Sequence, residues 1–241
     1  MMRQMQRGVS LISLLVGLVI ASIVVLAMMT VYQTSVRAMA TSAESARLHS
    51  ESLASLLTTH LSIQGAGFGV PPQELADNPE TAIDLSAAHF NGAGKLVSGG
   101  AGTALVWRVG IDTNNDFFAD TYQCEGLYVS ADRGIVQLVS SDSCASARSN
   151  TWASKNFTQL PLLEPSRLTS PSGEAPVIAN FFMRMDDRDP PCSPYGVSAT
   201  TGPEGVLGRR SVTIGYQRLV DGTNQTVSST TCLVNLLPED A

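Results

Sequence analysis

Val9 to Thr34 contains no Asp, Glu, Lys, Arg or Pro. A bilayer core of ~30 Å needs about 20 apolar residues in helical conformation, so the run predicts a membrane-spanning helix. The short segment before it, Met1 to Gly8, carries Arg3 and Arg7, and the large polar remainder follows. The positive-inside bias therefore places the N-terminus in the cytoplasm and exports the rest.

The helical pattern continues past the apolar run. Neither Pro nor Gly interrupts Ser35 to Gln64, and Leu53, Leu56, Leu57 and Leu61 recur at helical spacing, which predicts an apolar stripe for a sheet to cover. Glu44 and Glu51 lie three and four residues from Arg47, as exposed ion pairs along a helix would. Gln64-Gly65-Ala66-Gly67-Phe68-Gly69 ends the helix, and Pro71-Pro72 prevents its resumption.

From Ala104 the pattern becomes that of strands: Ala104–Ile111, Gly126–Ser130, Ile135–Ser140, Val177–Met185, Ser211–Val220 and Thr226–Leu236. Ala131-Asp132-Arg133-Gly134 predicts a hairpin turn, and Asp221-Gly222 begins the connection of the last two strands. Residues 70–103 and 141–175 read as loop-rich, with no internal repeat. The expected fold is α+β: a long N-terminal α-helix packed on one antiparallel β-sheet.

Composition narrows the function. Lys and Arg total 15 against 21 acidic residues, a net charge of −6. An acidic surface disfavours nonspecific nucleic-acid binding, which relies on phosphate neutralisation. Lys95 and Lys155 are the only lysines, and no basic cluster with interleaved aromatics occurs. Cys124, Cys144, Cys192 and Cys232 all fall in the exported region, and none has the CxxC spacing of a redox or zinc site. An even count in an oxidising compartment predicts two disulfides. Three pairings are open; Cys124 with Cys144 and Cys192 with Cys232 is preferred because each closes a local loop.

Asp112-Thr113-Asn114-Asn115-Asp116-Phe117-Phe118-Ala119-Asp120 is the best chemical constellation. Asp112, Asn114, Asp116 and Asp120 put oxygen side chains at the first, third, fifth and ninth positions of a calcium loop, with the Phe118 carbonyl at the seventh. Phe117 stands where such loops use glycine, and Gln123 where they use a bidentate glutamate. An Asn/Asp-rich surface turn is the alternative. No GxSxG, HExxH or P-loop occurs, and no histidine has a motif neighbour that would make it a base. The chain reads as non-enzymatic, with calcium its one candidate cofactor.

The order of basic leader, Gly8 and apolar helix resembles type IV prepilins and type II secretion pseudopilins, a resemblance that covers residues 7–63. It implies a prepilin peptidase that cuts after Gly8 and methylates the new N-terminus at Val9. It also divides the chain into a leader (1–8), a transmembrane helix that becomes filament core (9–34), and a pilin-like globular domain (35–241) with disulfide-clamped loops. Ser13, Gly17 and Ala21 form a small-residue stripe on which core helices could approach closely. Most members of the family have glutamate where this chain has Ser13, to pair with the N-terminus of the subunit ahead. A subunit at the filament tip has no such neighbour, so Ser13 fits a place at or near the tip; a minor subunit incorporated only rarely is the alternative.

The Gly65–Gly69 stretch narrows the resemblance to PilW-like minor pilins of type IV pili. The implied role is initiation of pilus assembly. Its partners would be other minor pilins, the major pilin, the prepilin peptidase, the inner-membrane assembly platform and a tip adhesin, with no nucleic acid. Its itinerary would be the inner membrane, then the pilus at the cell surface. A J-like or K-like minor pseudopilin and a membrane-anchored ligand-binding module are the alternatives.

Overall fold

The computed structural model describes residues 11–71, 74, 78–116, 118–165, 178–192, 208–220, 222–233 and 235–236. The chain divides into two compact units, Met1–Glu51 and Ser52–Ala241.

The described part of the first unit is helical throughout. It belongs to α1 (Leu11–Gln64), a helix of 54 residues. The side chains from Leu11 to Thr34 are all exposed. By length and composition this segment could cross a membrane, a test that a signal sequence also passes. Three of its hydroxyls bond back into the helix: Ser22 Oγ donates to the Leu18 carbonyl (2.8 Å), Thr30 Oγ1 to that of Ala27 (2.7 Å) and Thr34 Oγ1 to that of Val31 (2.8 Å). Such back-bonding reduces the cost of a hydroxyl in apolar surroundings. Arg47 bridges Glu44 (2.7 Å) and Glu51 (2.6 Å).

Among the described residues, the second unit is built from two sheets rather than the one expected. Six strands, β1 (Ile83–Phe90), β2 (Leu96–Ser98), β3 (Gly102–Ile111), β4 (Thr121–Ser130), β5 (Gly134–Ser143) and β6 (Phe157–Leu163), form an antiparallel sheet in the order β2-β1-β3-β4-β5-β6. The other three, β7 (Ile178–Cys192), β8 (Gly208–Val220) and β9 (Thr223–Cys232), form an antiparallel sheet in sequence order. A single-turn helix, α2 (Pro79–Ala82), leads into β1.

Both faces of the larger sheet are covered, which follows from the alternation along β3. Leu105 and Trp107 point into a cluster with Leu56 and Ile63 of α1, Leu127, and Val212, Ile214 and Tyr216 of β8. Ala104 and Val106 point the other way, toward Ala88, Leu96, Tyr128, Leu138 and Trp152. Trp152 sits in a 3₁₀ segment, Ser149–Ser154, fully buried, with Nε1 donating to the Ala147 carbonyl at 2.7 Å.

The helix face is a correction to the predicted stripe. Leu56 is buried, but Leu53, Leu57 and Leu61 are 50%, 59% and 58% exposed. The face turned inward carries Ser52, Ser55, Leu56, Thr59 and Ile63. Two further corrections concern segments read as loops. β1 and β2 occupy part of 70–103, and the Trp152 turn and β6 occupy part of 141–175. β1 contains Asp84, Ser86, Ala87 and Ala88, poor strand formers that its continuous pairing with β3 overrides. β6 contains Pro161, which is compatible with its place at the sheet edge.

α1 ends at Gln64 as the glycines predict, with Gly67 and Gly69 at φ of 78° and 72°. The Gly67 amide donates to the Arg108 carbonyl (3.0 Å) and the Gly110 amide to that of Phe68 (2.8 Å). This loop thus continues the hydrogen bonding of β3 where β1 has stopped. Gly134, at φ 71°, closes the β4–β5 hairpin at the predicted turn.

Candidate functional site

Gly8 and Val9, the predicted processing junction, lie outside the described residues, as do Phe117 and Asp221. Ser13, Gly17 and Ala21 are exposed along α1, and a Cβ at Gly17 would meet nothing within 4 Å.

The four cysteines form two bonds. Cys124 of β4 is joined to Cys144 just beyond β5, with a Cα separation of 5.0 Å, and Cys192 of β7 to Cys232 of β9, with one of 5.8 Å. The first pins the end of a hairpin under the Trp152 cluster. The second ties together the two outer strands of the three-stranded sheet, across β8.

The acidic loop between β3 and β4 turns its oxygens inward onto its own backbone. Asp112 Oδ1 accepts the Asn114 (3.1 Å) and Asn115 (2.6 Å) amides, Asn114 Oδ1 accepts that of Asp116 (2.9 Å), and Asp116 Oδ1 accepts that of Phe118 (2.9 Å). Asp120 Oδ2 accepts the Thr113 amide (2.8 Å) and hydroxyl (2.5 Å), and these bonds lower its pKa. Asn114 Nδ2 bridges Asp116 and Asp120. Asn115, at φ 61°, supplies the reversal that the missing glycine would have made. Asp112, Asn114, Asp116 and Asp120 therefore share one loop, but among the described residues no three His, Cys, Asp or Glu side chains converge as a metal-binding group. The arrangement is that of a run of side-chain-capped turns.

Two features were not foreseen from the sequence. Arg108 of β3 is only 3% exposed. It pairs with Glu74 and its guanidinium lies 4.1 Å from the Tyr122 ring centroid. A lone Arg inside an apolar strand was the signal available for it. At the turn end of the β4–β5 hairpin, a groove of about 290 Å³ is lined by His89, Phe90, Tyr128, Ser130, Asp132 and Arg133 among others. Arg133 lies over the Phe90 ring at 5.0 Å, and Phe90 meets Tyr128 edge to face. These residues come from two strands and a turn, and no local motif marks them.

Two histidines are engaged in structure. His60 Nδ1 meets Thr231 Oγ1 at 2.6 Å, and His89 Nδ1 donates to the Gly99 carbonyl at 2.7 Å. No protein family, curated protein or solved structure matches this chain.

Proposed function

We propose that this chain is a non-enzymatic minor pilin of a type IV pilus, processed after Gly8, that takes part in starting pilus assembly at or near the filament tip. The observation that carries the reading is the distribution of exposed apolar side chains on α1. From Leu11 to Tyr32 the helix carries no charged side chain and its large apolar residues are exposed, and Leu53, Leu57 and Leu61 add a second exposed stripe on a domain that has its own core. A helix whose leucines face away from its own domain is built to be covered by others, and in a filament the covering surfaces are the helices of neighbouring subunits. The disulfides suit an exported domain, and Ser13 in place of an ionisable residue suits a subunit with nothing ahead of it. The acidic loop serves as a rigid turn in this reading.

Intact-mass measurement of the membrane-extracted protein, with and without its prepilin peptidase, tests the proposal. Loss of Met1 to Gly8 together with one added methyl on Val9 is the expected result. An unprocessed N-terminus reduces α1 to a plain anchor and overturns the pilin reading. Immunogold labelling along the whole filament rather than at its ends would remove the tip assignment alone.

A further inference from the structure

We propose that β9 is a docking edge for a second copy of this chain, the two β9 strands pairing antiparallel about a two-fold axis at Val227 so that their sheets join into one. Strand edges are ordinarily guarded against such pairing by short length, charge, proline or a bulge. Among the described residues the two sheets end in β2, β6, β7 and β9, and the first three carry such a device. β2 is three residues long, β6 contains Pro161, and β7 carries Arg184, Asp186 and Asp187 and shifts its register against β8. β9 has none. Its ten residues include no charge, proline or glycine, and they pair with β8 from Thr223 to Cys232 without a shift.

The ladder shows which backbone groups lie open. The Leu233 amide donates to the Arg210 carbonyl at 3.0 Å, one step beyond the Cys232–Ser211 pair. Backbone direction alternates along an antiparallel ladder, so Gln225, Val227, Ser229 and Thr231 bond to β8, while Asn224, Thr226, Ser228 and Thr230 turn their amides and carbonyls outward. Those four residues are exposed, whereas Thr231 and Cys232 are buried. The Cys192–Cys232 bond fixes the buried end of the strand to β7.

The open stretch matches itself. It runs from Asn224 to Thr230, and Val227 is its midpoint. A two-fold axis there sets Asn224 against Thr230 and Thr226 against Ser228 of the second copy, each pair exchanging both backbone hydrogen bonds. Val227, the one aliphatic side chain of β9, then meets its own counterpart, and the hydroxyls of Thr226 and Ser228 meet across the join, a pairing that stabilises sheets. A second copy brings the same net charge of −6, and repulsion is least where neither strand bears a charge. This inference goes beyond the filament reading and does not depend on processing at Gly8.

Cysteine substitution in the full-length protein, oxidised mildly in its own membranes and read by non-reducing electrophoresis and peptide mapping, tests it. Val227→Cys should give a dimer joined through position 227, because a non-hydrogen-bonded pair holds its Cα atoms about 4.5 Å apart, within disulfide reach. Thr230→Cys, although more exposed, should stay monomeric, since position 230 lies about 20 Å from its counterpart at ~3.4 Å per residue. On the Val227→Cys background, Thr226→Lys with Ser228→Lys should abolish the dimer by setting lysines opposite one another, and Thr226→Lys with Ser228→Glu should restore it. A Val227→Cys protein that stays monomeric with both native disulfides formed, equal cross-linking through position 230, or a bond from position 227 to a different protein would each overturn the proposal. Dimers insensitive to the paired lysines would overturn the antiparallel register.

Discussion

Ile63 and Leu57 sit about one and two-thirds turns apart on the same helix, and the structure gives them opposite fates. Ile63 is fully buried among Trp107, Leu127 and the strands of the smaller sheet, whereas Leu57 is 59% exposed. Ile63→Ala removes three buried carbons, a transfer loss of about 2.4 kcal/mol at ~0.8 kcal/mol per methylene. The cavity left between a helix and two sheets adds to this, so the total should be roughly 3–4 kcal/mol, inside the range for such truncations. Leu57→Ala forfeits less than about 1 kcal/mol of burial and regains part of it through the better helix propensity of alanine. Urea titration of the detergent-extracted protein, followed by the fluorescence of the buried tryptophans Trp107 and Trp152, measures both. With a slope of about 2–3 kcal/mol per molar for a unit of this size, Ile63→Ala should lower the midpoint by about 1–2 M, and Leu57→Ala should barely move it. If Leu57→Ala cost as much as Ile63→Ala, the helix would present its leucine stripe to its own sheets, and the assignment of its inner face would be wrong.

Three other outcomes follow from the same geometry. Burial raises the pKa of Glu125 in β4, so the folded protein holds that proton more tightly than the unfolded chain; the resulting stability is full below the unfolded value of about 4.3 and is lost as pH rises through the folded value. Glu125→Gln should therefore raise the urea midpoint at neutral pH and leave it unchanged below about pH 4. Gly134→Ala places a methyl group against the Leu163 carbonyl at a positive φ, and should cost at least about 1–3 kcal/mol by the same titration. Because the acidic loop satisfies its oxygens with its own amides, neither millimolar calcium nor a chelator should move the thermal midpoint; a calcium-dependent rise would restore Asp112, Asn114, Asp116 and Asp120 as ligands.

What could be read from the chain was what depends on local pattern. The helix through Gln64, its glycine stop, the hairpin turn at Ala131 to Gly134 and the approximate positions of six strands all rest on residues within a few positions of one another. β1 and β6 escaped because their identity is conferred by partners: β1 is alanine- and serine-rich and becomes a strand by pairing with β3, and β6 tolerates Pro161 because one side of it is unpaired. The split into two sheets is likewise a matter of packing, since β7 to β9 carry the same alternation whether they extend the first sheet or cover it. The oxygen spacing of the acidic loop was legible, but not the direction of those oxygens, which depends on backbone turns around Asn115. The Phe90, Tyr128 and Arg133 groove joins residues distant in sequence.

The misread helix face shows why an amphipathic pattern identifies a surface to be covered without saying by what. Along Ser52 to Ile63 the side turned toward the core is narrow and partly polar. Thr59 Oγ1 returns its hydrogen bond to the Ser55 carbonyl at 2.8 Å, so it can be buried at little cost. Small residues there let the helix backbone approach the sheets, where leucines would hold it away, and Leu56 and Ile63 supply the apolar contact. The leucines left outside cost roughly 25 cal/mol for each Å² of apolar surface that stays wet. Serines inside and leucines outside, on a helix whose other end is apolar, fit the proposal that this helix is covered by neighbouring subunits.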